Sequence, residues 1–180
     1  MSGATTYQLE MGDDWSKYSV AVGVDRNLGA TLRVAPDESE SGVAVVEHTL
    51  PAGKLAAPLH RHTREDEISF ILEGEMGIQE GEEVSTVGTG EFAVKERGVW
   101  HTFWNPGPDP LRFLEMIAPG EFAGYFEELD ELLPEEGTRG VDDGRALELR
   151  ERIDELGGRY GFESDPGTVP DLIERHGLER

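Results

Sequence analysis

The chain contains no cysteine. Disulfide bridges, thiolate metal sites and cysteine nucleophiles are therefore excluded. No apolar run reaches the length needed to span a membrane. The start, MSGATTYQLEMGDDW, carries neither a basic segment nor an apolar one, so it does not read as a secretory signal. The expectation is a soluble, cytoplasmic protein. Positive charge is scarce as well. Lys and Arg number 16 against 38 Asp and Glu, giving a formal net charge of -22 over 180 residues. A polyanionic partner would be repelled, so nucleic acid and anionic membrane are not expected partners. Strongly anionic substrates are disfavoured unless a local cation offsets the field. Lysine occurs three times, at Lys17, Lys54 and Lys95.

Other kinds of site are missing too. There is no G-x-S-x-G nucleophile elbow, and GTRG does not form a phosphate loop. The acids are scattered rather than set out as a catalytic carboxylate pair.

Two regimes organise what is present. From about Lys17 to Ala118, short apolar runs alternate with turn signals: SVAVGV then DRNLG, ATLRVA then PDESESG, VAVVEHTL then PAGK, and onward to LRFLEMIAPG. Such spacing predicts an all-β sandwich or barrel, and no helical stretch intervenes to make parallel crossovers. After Pro119 the period becomes helical. Phe122, Phe126, Leu129 and Leu133 form one stripe. Ala146, Leu149, Ile153 and Leu156 form another, ended by Gly157 and Gly158, with the loop EEGTRGVDDG between the two. Pro170 opens a short third helix, DLIERHG. The division expected is a β-domain over 1–118 and a helical C-terminal extension over 119–180, packed on that domain or on a partner subunit.

Three histidines, His60, His62 and His101, stand in β-type runs or at their ends. Residues i and i+2 of a strand face the same side, so His60 and His62 in PLHRHTREDE present both imidazoles to one face. Glu67 has the wrong parity for one continuous strand, but the polar TRED segment reads as a turn. Glu67 then begins the next strand, free to point back at the histidines, with Glu65 and Asp66 more exposed on the turn. Imidazoles plus a carboxylate suit a divalent transition metal. Taken alone, the pair is weak evidence for a metal, because exposed strand edges carry such pairs by chance.

The downstream sequence adds the missing part. Gly53, His60, His62, Glu67 and Gly74, followed by Gly90, Gly98, His101 and Asn105, resemble the two motifs of the cupin family. Fifteen residues separate Gly74 from Gly90, and the likeness runs from about Val43 to Ala118. PLHRHTREDEISFILEGE is similar to cupins related to quercetin dioxygenase, as are GEFAGYFEELDEL and the RYGFE phrase. The resemblance implies a mainly β fold, an antiparallel jelly-roll barrel with a metal inside, and a homodimer. It implies His60, His62, Glu67 and His101 as ligands of one divalent ion (Fe, Mn, Ni, Cu, Co or Zn), with Glu67 also the catalytic base. Gly74 and Gly98 would serve turns needing positive φ, and Asn105 a strand-end hydrogen bond. The family's proline is replaced by Glu96, which loosens a turn and lies too far along to reach the metal.

Four residues are candidates for the substrate pocket: Phe103 on the His101 face, Trp100 at its mouth, and Ser69 and Ile71 on the Glu67 face. On the last strand either Phe113 and Glu115 or Leu114 and Met116 point inward. The parity of Val43, Val45 and Leu50 is open. His48 reads as a strand histidine that is not a ligand, and His176 as structural or exposed. The functional expectation is a metal-dependent, dioxygenase-like oxidoreductase acting on a small phenolic or enol substrate. The alternatives are a non-redox metal-dependent isomerase or lyase, and a cupin that binds a small molecule without turnover.

Overall fold

The computed structural model describes residues 19–133 and 143–179. The start of the chain and most of the EEGTRGVDDG loop lie outside the described residues. Ten strands come first: β1 (Ser19–Val22), β2 (Leu28–Val34), β3 (Ala44–Leu50), β4 (Leu59–His62), β5 (Asp66–Glu73), β6 (Glu75–Glu80), β7 (Glu83–Gly88), β8 (Phe92–Lys95), β9 (His101–Trp104) and β10 (Leu111–Ala118). Helices α1 (Ala123–Leu132) and α2 (Asp143–Tyr160), strand β11 (Phe162–Asp165) and helix α3 (Val169–His176) follow.

Two antiparallel sheets result, in the orders β1-β2-β3-β10-β5-β8 and β11-β4-β9-β6-β7. They form a jelly-roll-like pair rather than one continuously closed barrel. Alternation decides which side chains go between them. On β10, Leu111, Phe113, Glu115 and Ile117 are buried while Arg112, Leu114 and Met116 are only half-buried. The open parity of the last strand thus resolves to Phe113 and Glu115. On β3, Ala44, Val46, His48 and Leu50 are buried, and Val45 takes the other face. Each large apolar side chain buried this way contributes roughly 1.5–3 kcal/mol of transfer free energy. Gly74 and Gly98 adopt φ of 80° and 79°, the left-handed region expected of them.

The C-terminal region differs from the helical tail expected. Residues Phe162–Asp165 form a strand that pairs with β4, setting Phe162 opposite His62 and Ser164 opposite His60. Helix α2 also runs through Gly157 and Gly158 instead of stopping there, and Gly161 follows it with φ 75°. The reason is packing. A Cβ on Gly157 would lie 2.9 Å from the Phe162 carbonyl oxygen, so glycine at this point lets the helix approach β11. Of the expected stripe, Phe126 and Leu129 are buried on α1 together with Tyr125, Phe122 is buried in the 3-10 turn just before the helix, and Leu133 is half-buried just after it. Tyr160 donates to Glu128 at 2.5 Å, tying α2 to α1.

Candidate metal centre

Strands β4 and β9 pair so that His60 lies opposite His101. His62, two residues along β4, shares the face of His60. All three imidazoles are buried. Each ring is oriented through its Nδ1. His60 Nδ1 donates to the Pro58 carbonyl at 2.8 Å and His101 Nδ1 to the Val99 carbonyl at 3.0 Å. His62 Nδ1 donates to Glu65 Oε1 at 2.6 Å. Carbonyl and carboxylate oxygens only accept, so the protons sit on Nδ1 and the Nε2 lone pairs are left for something else.

The donor atoms of the three histidines lie within 4.8 Å of one another. His101 Nε2 is buried without a hydrogen-bond partner. An orphaned buried acceptor is costly, and a bound cation removes that cost. Ligand nitrogens sit roughly 2.0–2.1 Å from such an ion, so a small contraction of the cluster seats one. The protonation states agree with this use. Burial pushes His60 well below its ordinary value, helped by His101 and His62, and burial likewise lowers His101 against the opposing pull of Glu67. Neutral imidazole is the ligating form.

Glu67 opens the inward face of β5 and is buried. Its Oε2 lies 3.5 Å from His62 Nε2 and 3.8 Å from His101 Nε2. The same oxygen is 3.0 Å from Lys95 Nζ. Burial would raise the Glu67 carboxyl, but the Lys95 ammonium beside it helps hold it well below the usual carboxylate range. Lys95 is in turn 2.5 Å from Glu115 Oε2, and Ser69 Oγ donates to Glu115 Oε1 at 3.0 Å. Burial, reinforced by the nearby Glu67, pushes Glu115 up to about 7 in spite of Lys95. Burial would strip Lys95 of its proton, but Glu115 and Glu67 together raise it, so it remains an ammonium.

Glu65 corrects the sequence expectation. It is buried, not exposed, because its carboxylate turns inward to hold His62. Asp66 starts β5 at the half-exposed surface and pairs with Arg97 at 2.6 Å. Asn105 is a hydrogen-bonder as expected: its Nδ2 donates to the Leu50 and Asp109 carbonyls, and its Oδ1 accepts from Gly107 N–H. Glu96 is exposed.

A cavity of about 800 Å³ opens over the histidines, between the sheets and the C-terminal elements. His60, His62, Glu67 and Glu115 form its polar floor, and Phe103, Phe122, Tyr125, Phe126 and Phe162 are among its walls. No arginine or lysine among the described residues lines it. Phe103 was expected there. The wall is built without the other three pocket candidates. Ser69 and Ile71 are fully buried and do not line it. Trp100 is half-buried on the opposite face of its strand region, under the Arg61 guanidinium at 5.1 Å. His48 also reaches the cavity, donating through Nδ1 to the Gly29 carbonyl, 3.0 Å away, and stacking on Phe113. His176 stacks on Trp104 at 3.8 Å, a structural role. Sequence reasoning missed Lys95, Glu65 as a buried group, and Phe162.

Two facing antiparallel sheets with three converging histidines on their inner side define a jelly-roll protein with a candidate metal centre. Residues 46–117 match the family described as the Cupin domain, so this segment of the chain is similar to that family. Among solved structures it is similar to a predicted oxalate decarboxylase from Thermotoga maritima, with 22% identity and a TM-score of 0.51 over 56% of this chain and 90% of that one. It is also similar to TT1209 from Thermus thermophilus (22% identity, TM-score 0.46, 56% and 91% of the two chains). KdgF from Halomonas sp. gives 17%, 0.47, 55% and 84%. At 22% identity the likeness to the Thermotoga protein is one of fold alone. A comparison with curated proteins finds no match.

Proposed function

We propose that the chain is a metal-dependent oxidoreductase of the dioxygenase type, acting on a small phenolic or enol substrate. The observation that carries this reading is the convergence of the His60, His62 and His101 donors on the floor of an aromatic-walled cavity. Those three residues and Glu67 would hold one divalent transition metal. Bound there, the metal would supply a Lewis-acidic site with positions open to a substrate hydroxyl and to dioxygen.

The chain's own residues do the rest. Phe103, Phe122 and Phe162 offer flat apolar faces to a planar substrate. Apart from the metal, no arginine or lysine among the described lining residues would pair with a second anionic group, which favours a neutral molecule over a small dianion. Glu67, held anionic, sits at the floor where a substrate hydroxyl would arrive and accepts its proton at a carboxylate oxygen. Tyr125, Phe126 and Leu129 of α1 and Phe162 of β11 add apolar wall beside the floor.

The test is direct. The protein is purified without a chelating column, its metals are measured by mass spectrometry, and oxygen uptake is followed with flavonols and small enols. Bound metal in stoichiometric amount, with oxygen consumed only when substrate is present, is the expected result. The His62→Ala variant should lose most of its metal. Turnover under argon with zinc bound would instead mean non-redox chemistry at the same residues. A folded protein that takes up no divalent metal would overturn the reading.

The homodimer implied by the family resemblance stands as part of this proposal. Its support is the exposure of Phe92 (60%) and Val94 (50%) on edge strand β8, and light scattering tests it. No helix among the described residues is long and apolar enough to cross a membrane.

A further inference from the structure

Strand β8 is inside out by ordinary patterning. Phe92 and Val94 point to solvent, while Lys95 is 1% exposed and points between the sheets. An ammonium in that position is costly unless it is paired and hydrogen-bonded. Two carboxylates meet it, Glu67 Oε2 at 3.0 Å and Glu115 Oε2 at 2.5 Å. Ser69 fixes Glu115 from the other side at 3.0 Å, and the Phe103 ring lies under Nζ at 4.9 Å. The register repeats the arrangement in the backbone: Lys95 is opposite Glu67, and Glu115 is opposite Ser69.

The oxygen that Lys95 holds is the one facing the histidines. Glu67 Oε2 is 3.5 Å from His62 Nε2 and 3.8 Å from His101 Nε2. One carboxylate oxygen is thus contested between an ammonium and the triad. We infer that Lys95 is a positioning residue that competes with a bound metal for Glu67, that Glu115 is the counter-ion setting the balance, and that Glu67 is therefore a displaceable ligand. The inference rests on the metal reading above.

The charges explain why both partners are needed. Glu115 neutralises Lys95, which leaves the negative charge of Glu67 available to a cation. Without Glu115, the ammonium has Glu67 as its sole carboxylate within bonding distance and pulls it from the histidines. Its uncompensated charge also repels a divalent ion. Without Lys95 and Glu115 together, Glu67 is a buried carboxylate with no ammonium, and a metal becomes its best partner. Second-sphere changes of this kind alter metal affinity by about 10–100-fold.

Cobalt(II) serves as the probe, because its visible absorption reports both occupancy and coordination. The full chain, stripped of metal, is titrated as wild type, as Glu115→Gln, and as the double variant Lys95→Met with Glu115→Gln. The double variant leaves neither an unpaired ammonium nor a Glu115 carboxylate, and thermal unfolding of the metal-free proteins checks that it folds with Glu67 unpaired. Glu115→Gln should bind cobalt about tenfold more weakly. The double variant should bind it about tenfold more tightly than wild type, with shifted visible bands because Glu67 stays on the ion. Unchanged affinity and bands in both folded variants overturn the inference and leave the metal reading standing. No cobalt uptake by the wild type overturns both.

Discussion

His62 Nδ1 and Glu65 Oε1 lie 2.6 Å apart, both side chains buried. This bond fixes the ring that carries one of the three converging donors. Outer carboxylates of this kind set the tautomer and raise the basicity of a ligating imidazole. Glu65→Ala should weaken divalent-metal binding by about 10–100-fold. Glu65→Gln should cost less, since its amide oxygen still accepts from Nδ1. Competition with a chromophoric chelator measures both. Equal affinity in all three proteins would show that the bond serves packing alone.

His48 gives a pH prediction free of metal. Burial, with Lys95 adding to it, lowers its pKa to about 4, although the Gly29 carbonyl opposes the shift. In the unfolded chain it titrates near 6.5. Above that pH both states are neutral and nothing is at stake. Below it the unfolded chain takes up a proton that the folded chain refuses, so stability falls as pH drops towards 4. By pH 5 this amounts to about 2 kcal/mol. His48→Phe keeps a ring stacked between Phe113 and Phe126 and removes the proton. Urea unfolding of metal-free protein at pH 7 and pH 5 should therefore show the wild type losing about 2 kcal/mol more than the variant.

Much of this molecule is legible in its sequence. The alternation of β10, though not which of its faces turns inward, and the turns at Gly74 and Gly98 can be read from the sequence, and the two spaced motifs bring His101 to His60. What could not be read has a common cause. Glu65 looks like a turn acid until His62 needs an acceptor. Lys95 lies in FAVK, where hydrophobicity alone would turn Phe92 and Val94 inward; the two carboxylates across the sheet reverse that parity. Phe162 follows a helical stripe and two glycines, so the chain there reads as a helix end. Its strand exists because β4 has a free edge, a property of another part of the chain. In each case a distant partner overrides the local signal, and a single sequence carries no record of that partner.

Asn105 separates a structural role from a ligating one. Its side chain makes three hydrogen bonds, to the Leu50 and Asp109 carbonyls and from the Gly107 amide, and it is fully buried. Asn105→Ala leaves two carbonyls and an amide short of a partner. Losses of about 1 kcal/mol per bond give about 3 kcal/mol of destabilisation in all. Metal bound per folded chain should stay as in the wild type. A variant that folds normally and loses metal would place Asn105 at the centre instead.

Two adjacent glycines test how the C-terminal region supports β4. Gly157 and Gly158 both lie inside α2 with helical neighbours on either side. Gly158 has open space where a Cβ would go. Gly158→Ala should therefore stabilise the protein, by about 0.5–1 kcal/mol, through helix propensity alone. At Gly157 the same methyl would meet the Phe162 carbonyl oxygen at 2.9 Å and the Phe162 ring at 3.3 Å. Backbone cannot yield there without moving β11, which pairs with His60 and His62 across β4. Gly157→Ala should destabilise in spite of its better propensity, and it should also weaken metal binding, because the displaced strand is the one that borders the histidines. Thermal unfolding and metal titration of the two variants measure this. Opposite signs of the stability change at neighbouring positions are the expected outcome; equal changes would mean that α2 does not rest on β11.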